Sequence, residues 1–260
     1  AAALKQVPTC EFFPMQATQT NVIGSQNIIN SAISHGVSKV ISLSTDKAVY
    51  PVNALGITKA LMEKVVQSTS RKLFQGQTIL SLVRYGNVLF SRGSVIPLFL
   101  KQIREKKPIT VTEYEMTRFL LPLKEAIQLV GFALQNGRQG DIFVCNAPSA
   151  NIGDLAQALK NIFSSDSEIK IMGIRHGEKL HETLVSKEEL LRSEDMGDYL
   201  RLSMDDRDLN YKKYLSEGDK KVIQTEDYTS QNTTRLTVPK IEEMLLAQPE
   251  IIAELKNQEL

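Results

Sequence analysis

Short apolar runs rich in β-branched residues alternate with stretches of helical periodicity along most of this chain, and that alternation admits few architectures. Residues 37–44, VSKVISLS, place Val37, Val40, Ile41 and Leu43 in a compact run suited to a buried parallel strand. Before it, Val22, Ile29 and Ile33 recur at helical spacing, and Gly36 follows as a stop signal. After it come a polar turn, a helix predicted over about 53–71, and TILSLVRYGNV, read as one strand ending near Val88. Strand, helix and strand in succession give a parallel sheet with crossover helices.

Beyond Gly93 the pattern loosens. VIPLFLKQIREKK predicts a short amphipathic helix and ITVT a short strand. LKEAIQLVGFALQNG predicts a helix in which Ile127, Val130 and Leu134 line one face, with Gly137 where a cap should be. DIFVCNAP reads as a strand, NIGDLAQALKNIF as a helix capped by Asn151, EIKIMGI as a strand, and residues 240–246 as a last helix. SKEELLRSEDMGD is expected to be a solvated helix and turn, and DRDLNYKKY to fold back over the second domain. The plan is a doubly wound sheet with a smaller second domain: 1–90 and 118–147 in the first, 91–117 and 148–260 in the second.

Composition removes several functional classes. Lys plus Arg number 31 against 30 Asp plus Glu, a net charge of +1 that argues against an electrostatic nucleic-acid binder. No apolar run approaches the ~18 residues of a membrane helix, and no leader pattern opens the chain. The 2 cysteines, Cys10 and Cys145, are read as small packing residues, and His176 and His181 lack zinc-helix spacing, so no metal is expected. The expectation is a cytoplasmic globular protein.

Chemistry concentrates in Ser44-Thr45-Asp46-Lys47, directly after the strand VSKVISLS. Ligand and catalytic groups of open α/β sheets sit at the carboxyl ends of strands. Asp46 and Lys47 offer an acid and a base in one turn; they also read, taken alone, as a helix cap and a solvated charge. Lys59 lies four residues after Leu55, which puts both on one helical face.

STDKAVYP-x-NA-x-G-x-x-K, VRYGNV, SRGSVIP, MTRF and RHGEKLHE follow in that order. Together they resemble the C5-inverting UDP-N-acetylglucosamine 4,6-dehydratases, in the capsular-polysaccharide branch of the extended short-chain dehydrogenase/reductases. The resemblance runs from Ala1 to about Leu246. It implies a Rossmann-type sheet that lacks its N-terminal strands, because the family's Gly-rich strand–turn–helix unit, roughly 80 residues, has no counterpart here. It implies NADP as cofactor, with NAD as the alternative, a UDP-N-acetylhexosamine substrate and a homo-oligomer.

In the family reaction, oxidation at carbon 4 acidifies the proton on carbon 5. A base removes that proton, water leaves carbon 6 with acid help, and the hydride returns to carbon 6 as a proton is delivered to carbon 5 on the opposite face. On this resemblance Lys47 is the base, which requires a lowered pKa, and Asp46 is the acid, which requires a raised one. Thr45 bonds the 4-hydroxyl, and Lys59 holds the nicotinamide ribose. Ala2 and Val88 are further cofactor contacts. Lys5 (placed just past a strand end), Asn87, Arg92, Ser94, Arg118, Arg175 and Glu178 bind the nucleotide sugar, with Arg118 and Arg175 on the pyrophosphate.

One position departs from the wider family: Leu55 stands where most short-chain dehydrogenases carry the Tyr that deprotonates the 4-hydroxyl. The capsule branch carries Met there. The alternatives are a UDP-sugar 4-epimerase on the same fold, which has no use for an acid and base at carbons 5 and 6, and an inactive fragment that binds nucleotide sugar or a partner subunit.

Overall fold

The structure is a computed structural model, and it describes residues 2–73, 77–204 and 226–258. These form two compact units: Ala1–Arg84, Gln128–Asn146 and Thr183–Tyr228 in the first, and Tyr85–Ile127, Ala147–Glu182 and Thr229–Leu260 in the second. The segment DRDLNYKKY lies outside the described residues.

In the first unit, α1 (Val7–Phe12), α2 (Pro14–Thr18) and α3 (Gly24–Ser34) precede β1 (Lys39–Thr45). Ala2–Gln6 carry no strand, so Lys5 lies before a helix and not at a strand end. The crossover helix α4 (Ala54–Ser70) is capped by Asn53, whose Oδ1 accepts from Gly56 N at 2.8 Å. It leads to β2 (Ile79–Tyr85), and the strands order as β1-β2-β6-β11-β10. β6 (Ile142–Cys145) runs parallel to β2, pairing Leu82 with Ile142. Its near-continuous apolar sequence is what a strand covered on both faces needs.

The other edge of β6 takes β11 (Tyr199–Leu202), antiparallel, and β11 takes β10 (Ser193–Asp195). The stretch read as solvated, residues 186–198, therefore contributes one strand, β10, to the main sheet. Two short elements come just before it, β9 (Thr183–Val185) and α8 (Lys187–Leu190). Ser186 closes a capping box on α8 with Glu189.

The run TILSLVRYGNV does not form one strand. It breaks at Gly86, where an added Cβ would stand 2.6 Å from Phe119 Cβ, and β3 (Asn87–Val88) pairs with β5 (Thr117–Leu121) in the second unit. β5 pairs antiparallel with β7 (Ser149–Asn151). A separate parallel pair joins β4 (Ile109–Val111) to β8 (Ile169–Ile171). Around them pack α5 (Val95–Arg104), α7 (Ile152–Ile162), α9 (Val238–Leu246) and α10 (Pro249–Gln258), over a core that includes Phe99, Ile109, Leu155, Leu159, Ile241 and Leu245.

α6 (Leu123–Asn136) is a helix as expected, but it buries a different face. Ala126, Leu129 and Ala133 are buried, while Ile127 is 62% and Leu134 43% exposed. The two faces have the same i, i+3, i+7 spacing and differ by one residue, about 100° of rotation. The small alanines let the helix axis come close to its neighbours. Gly137 also acts through proximity, since a Cβ there would lie 2.7 Å from Ser81 Oγ. Asn151 precedes α7 without a side-chain cap bond; its amide donates to Glu115 and accepts from Arg235. Cys10 and Cys145 are buried, and neither is in a disulfide. Among the described residues no helix is long and apolar enough to cross a membrane.

Candidate active site

β1 ends at Thr45, and Asp46–Ala48 form one tight helical turn. Thr45 Oγ1 donates to Asp46 Oδ1 at 2.8 Å, and Lys47 Nζ reaches the same oxygen at 3.0 Å. The Asp46 side chain is 0% exposed, and its second oxygen, Oδ2, is buried without a hydrogen-bond partner. Buried carboxylate oxygens are ordinarily bonded, so a bare one marks a place that a ligand hydroxyl can fill. Lys47 keeps a partly exposed side chain beside it.

The helix α4 holds this turn from behind. Lys59 Nζ donates to Leu43 O at 3.0 Å and lies 3.8 Å from Met62 Sδ. Burial pulls the Lys59 ammonium below its ordinary value, against the opposing charges of Glu63 and Cys10. Leu55 faces away from solvent into a small cluster with Cys10 and Ala17. A residue in that orientation serves packing, and no phenol replaces it there.

Tyr50, close in sequence, has φ 46°, in the left-handed region that β-carbon-bearing residues seldom enter. Its hydroxyl lies 3.1 Å from Glu188 Oε2 and 3.3 Å from Asp227 Oδ1. Burial and the Glu188 carboxylate raise the phenol above its ordinary value, which makes its proton harder to lose.

The second unit holds the other expected contacts. Asn87, Val88, Ser94, Arg118, Leu120 and Ile152 line a small pocket. Asn87 Oδ1 and Ser94 Oγ are both buried without a hydrogen-bond partner, two polar atoms converging in a mostly apolar recess. Arg118 is turned onto its own loop: Nη1 donates to Thr117 O at 2.7 Å and Nη2 to Lys179 O at 2.9 Å, with Nε 3.8 Å from Glu182 Oε1. These bonds tie it to the 179–182 loop at the edge of the recess. Arg92 is exposed beside Gly93, whose φ is 72°. Arg175 is exposed with Nε 4.0 Å from Glu178 Oε1, and Glu178 Oε2 is buried without a hydrogen-bond partner. Ala2 and Lys5 are exposed in the first unit.

The structure thus brings Thr45, Asp46 and Lys47 together, bonds Lys59 to the strand that leads into their turn, and separately gathers Asn87, Val88, Ser94 and Arg118. It also contains a buried group that the sequence did not bring to notice: Glu63, Arg84 and Glu189. The only sequence signals were an arginine inside the apolar run LSLVRY and a glutamate four residues after Lys59.

Residues 1–204 match the polysaccharide biosynthesis protein family, and 205–251 match the C-terminal region of the same proteins. The chain belongs to the polysaccharide biosynthesis protein family. A family relative named UDP-glucose 4-epimerase, from Rickettsia felis, is 55% identical over 257 residues, covering 99% of this chain and 75% of its own length. Among solved structures, Pen from Bacillus thuringiensis is 31% identical with a TM-score of 0.85, over 96% of this chain and 74% of that one. A dTDP-glucose 4,6-dehydratase from Streptomyces venezuelae, solved with NAD bound, shares the fold at 20% identity and a TM-score of 0.63, over 69% and 61% of the two chains. The fold is therefore an α/β fold with a parallel-strand sheet, similar to the Rossmann-type fold of these solved structures, as the sequence implied.

Proposed function

We propose that this chain is an NADP-dependent, C5-inverting UDP-N-acetylglucosamine 4,6-dehydratase, making a UDP-4-keto-6-deoxy-hexosamine for capsule or surface polysaccharide. The observation that carries the reading is the Thr45-Asp46-Lys47 turn, with one Asp46 oxygen holding a hydroxyl and an ammonium and the other bare. Dehydration across carbons 5 and 6 needs one group to take a proton and another to give one. A 4-epimerase needs neither at those carbons.

In this reading Thr45 orients the sugar 4-hydroxyl, and Lys47 removes the proton from carbon 5. Asp46 protonates the departing hydroxyl from Oδ2, the oxygen without a partner. Lys47 and Thr45 both contact Oδ1, which leaves Oδ2 as the oxygen turned to the substrate hydroxyl. Lys59 fits a nicotinamide cofactor: of its three N–H donors, Leu43 O and Met62 Sδ engage two and leave one for a ribose hydroxyl. The cofactor, NADP or NAD, supplies the oxidising and reducing capacity when bound. We assign Ala2 and Val88 as further cofactor contacts, and Lys5, Asn87, Arg92, Ser94, Arg118, Arg175 and Glu178 as contacts of the UDP-sugar. The proposed setting is a cytoplasmic homo-oligomer.

A UDP-sugar 4-epimerase is the second reading, favoured by the name of the Rickettsia relative. One experiment separates them. Full-length protein carrying Lys47→Ala is mixed with UDP-N-acetylglucosamine, and reduced-cofactor absorbance and solvent-deuterium exchange at carbon 5 are followed. The dehydratase reading expects the absorbance to appear and the exchange to fall by about 10²–10⁴-fold, the usual loss with a positioned base. Exchange at the wild-type rate overturns Lys47 as the base. A wild-type protein that inverts carbon 4 with no deuterium at carbon 5 is an epimerase.

A further inference from the structure

Arg84 is fully surrounded, and all five of its N–H donors have acceptors. Nε donates to Glu63 Oε1 at 3.1 Å and Nη2 to Glu63 Oε2 at 2.7 Å. Nη1 and Nη2 donate to Glu189 Oε2 and Oε1 at 2.8 and 3.0 Å, and Nη1 also donates to Leu184 O at 2.9 Å. The pairing raises the Arg84 guanidinium against its burial. Burial alone would raise the Glu189 carboxyl, yet the bonds and charge of Arg84 hold it below its ordinary value. Buried ion pairs of this kind are weak contributors to stability, because desolvation offsets their attraction; where retained, their best-supported use is to fix one arrangement.

The arrangement fixed here leads to the catalytic turn. Glu63 Oε1 also accepts from Ser44 Oγ at 2.5 Å, a short charge-assisted bond. Ser44 immediately precedes Thr45 on β1, and successive strand side chains point to opposite faces. Holding Ser44 toward α4 therefore determines the face on which Thr45 is presented. Glu63 follows Lys59 by one helical turn, and Lys59 holds the carbonyl of Leu43, the residue before Ser44. Two successive residues of the strand end are thus gripped by one helix, and Arg84 fixes the second grip. The helix α8 carries the other arm through Glu189, while its Glu188 receives the Tyr50 hydroxyl just past the turn.

We infer that Arg84, acting through Glu63 on Ser44, is a positioning residue that sets the geometry of Thr45, Asp46 and Lys47. The inference rests on the dehydratase reading of that turn. Arg84 touches no reacting atom in this scheme; its effect is transmitted by two hydrogen-bonded side chains.

The test uses Ser44→Ala in the full-length protein, because it removes one hydroxyl and leaves the Arg84 ion pairs intact. The expected result is a fall in kcat of about 10- to 100-fold, the scale of a misplacement near 1 Å. KM should stay within about twofold, since a positioning defect acts on the transition state more than on binding. Ser44→Thr, which restores the hydroxyl, should recover kcat. A Ser44→Ala protein with kcat within about twofold of wild type overturns the inference. So does a loss that Ser44→Thr does not recover, or one accompanied by an equal loss of folded protein, since either assigns the effect to packing. Lys47→Ala in the same assay keeps the two readings apart: full turnover there sinks the dehydratase turn whatever Ser44 does.

Discussion

Gly56 and Gly131 both sit inside helices, and the same substitution should act on them with opposite sign. Alanine in place of glycine in a helix interior ordinarily gains about 0.8–1.0 kcal/mol of propensity. At Gly131 nothing lies within 4 Å of an added Cβ. Gly131→Ala should keep that gain, and at roughly 2–4 °C per kcal/mol for a chain of this size the melting temperature should rise by that amount. At Gly56 the added Cβ would fall inside the contact radius of the Lys47 carbonyl oxygen and 3.1 Å from Pro51 Cβ. The obstacle is backbone, so no rotamer change relieves it, and overpacking of this kind costs about 1–3 kcal/mol or more.

Taking the upper end of that range and subtracting the propensity gain leaves a net loss of about 2 kcal/mol, or roughly 4–8 °C. The displaced atoms belong to Lys47 itself, so turnover should fall by about 10²-fold, as expected for a catalytic group moved by about an ångström. Thermal unfolding and steady-state kinetics on the two variants decide the matter. A Gly56→Ala protein with unchanged turnover would show that α4 does not press on the catalytic turn. Equal shifts in both variants would show that only propensity is at work.

Two other outcomes can be checked. Arg84→Met leaves Glu63 buried without its cation and should destabilise the fold by about 3–5 kcal/mol, read by denaturant unfolding; a loss below about 1 kcal/mol would mean that the group is not sealed from water. His181 bonds Thr117 through Nδ1 at 2.8 Å, and burial, with Arg235 and Arg118 nearby, lowers its pKa below 6.5. The unfolded chain therefore binds the extra proton first, so stability should decline as pH falls through 6.5 and level off below the folded value. His181→Gln should flatten that part of the profile, and an unchanged slope would exclude His181 as its source.

Local patterns carried much of the architecture. The β-branched run before Thr45 had to be a strand, and Asn53 in front of a long amphipathic stretch had to open a helix; both are decided within a few residues of backbone. The placement of Ser44 to Lys47 at the end of a strand followed from those two elements alone. What the chain could not announce were pairings between distant residues. TILSLVRYGNV reads as one strand because its apolar pattern is continuous, yet Gly86 lets the backbone pass against Phe119, and the last two residues join another sheet. Ile127 and Ala126 belong to faces of equal periodicity, and only the surface that α6 meets selects the smaller one. Arg118 reads as a phosphate fork, and only the structure shows that it also bonds the carbonyls of Thr117 and Lys179. Arg84, Glu63 and Glu189 are separated by 21 and 105 residues and become one group only after β2, α4 and α8 pack. Periodicity is a property of neighbours along the chain, whereas a buried charge is stable only beside a partner that folding brings to it.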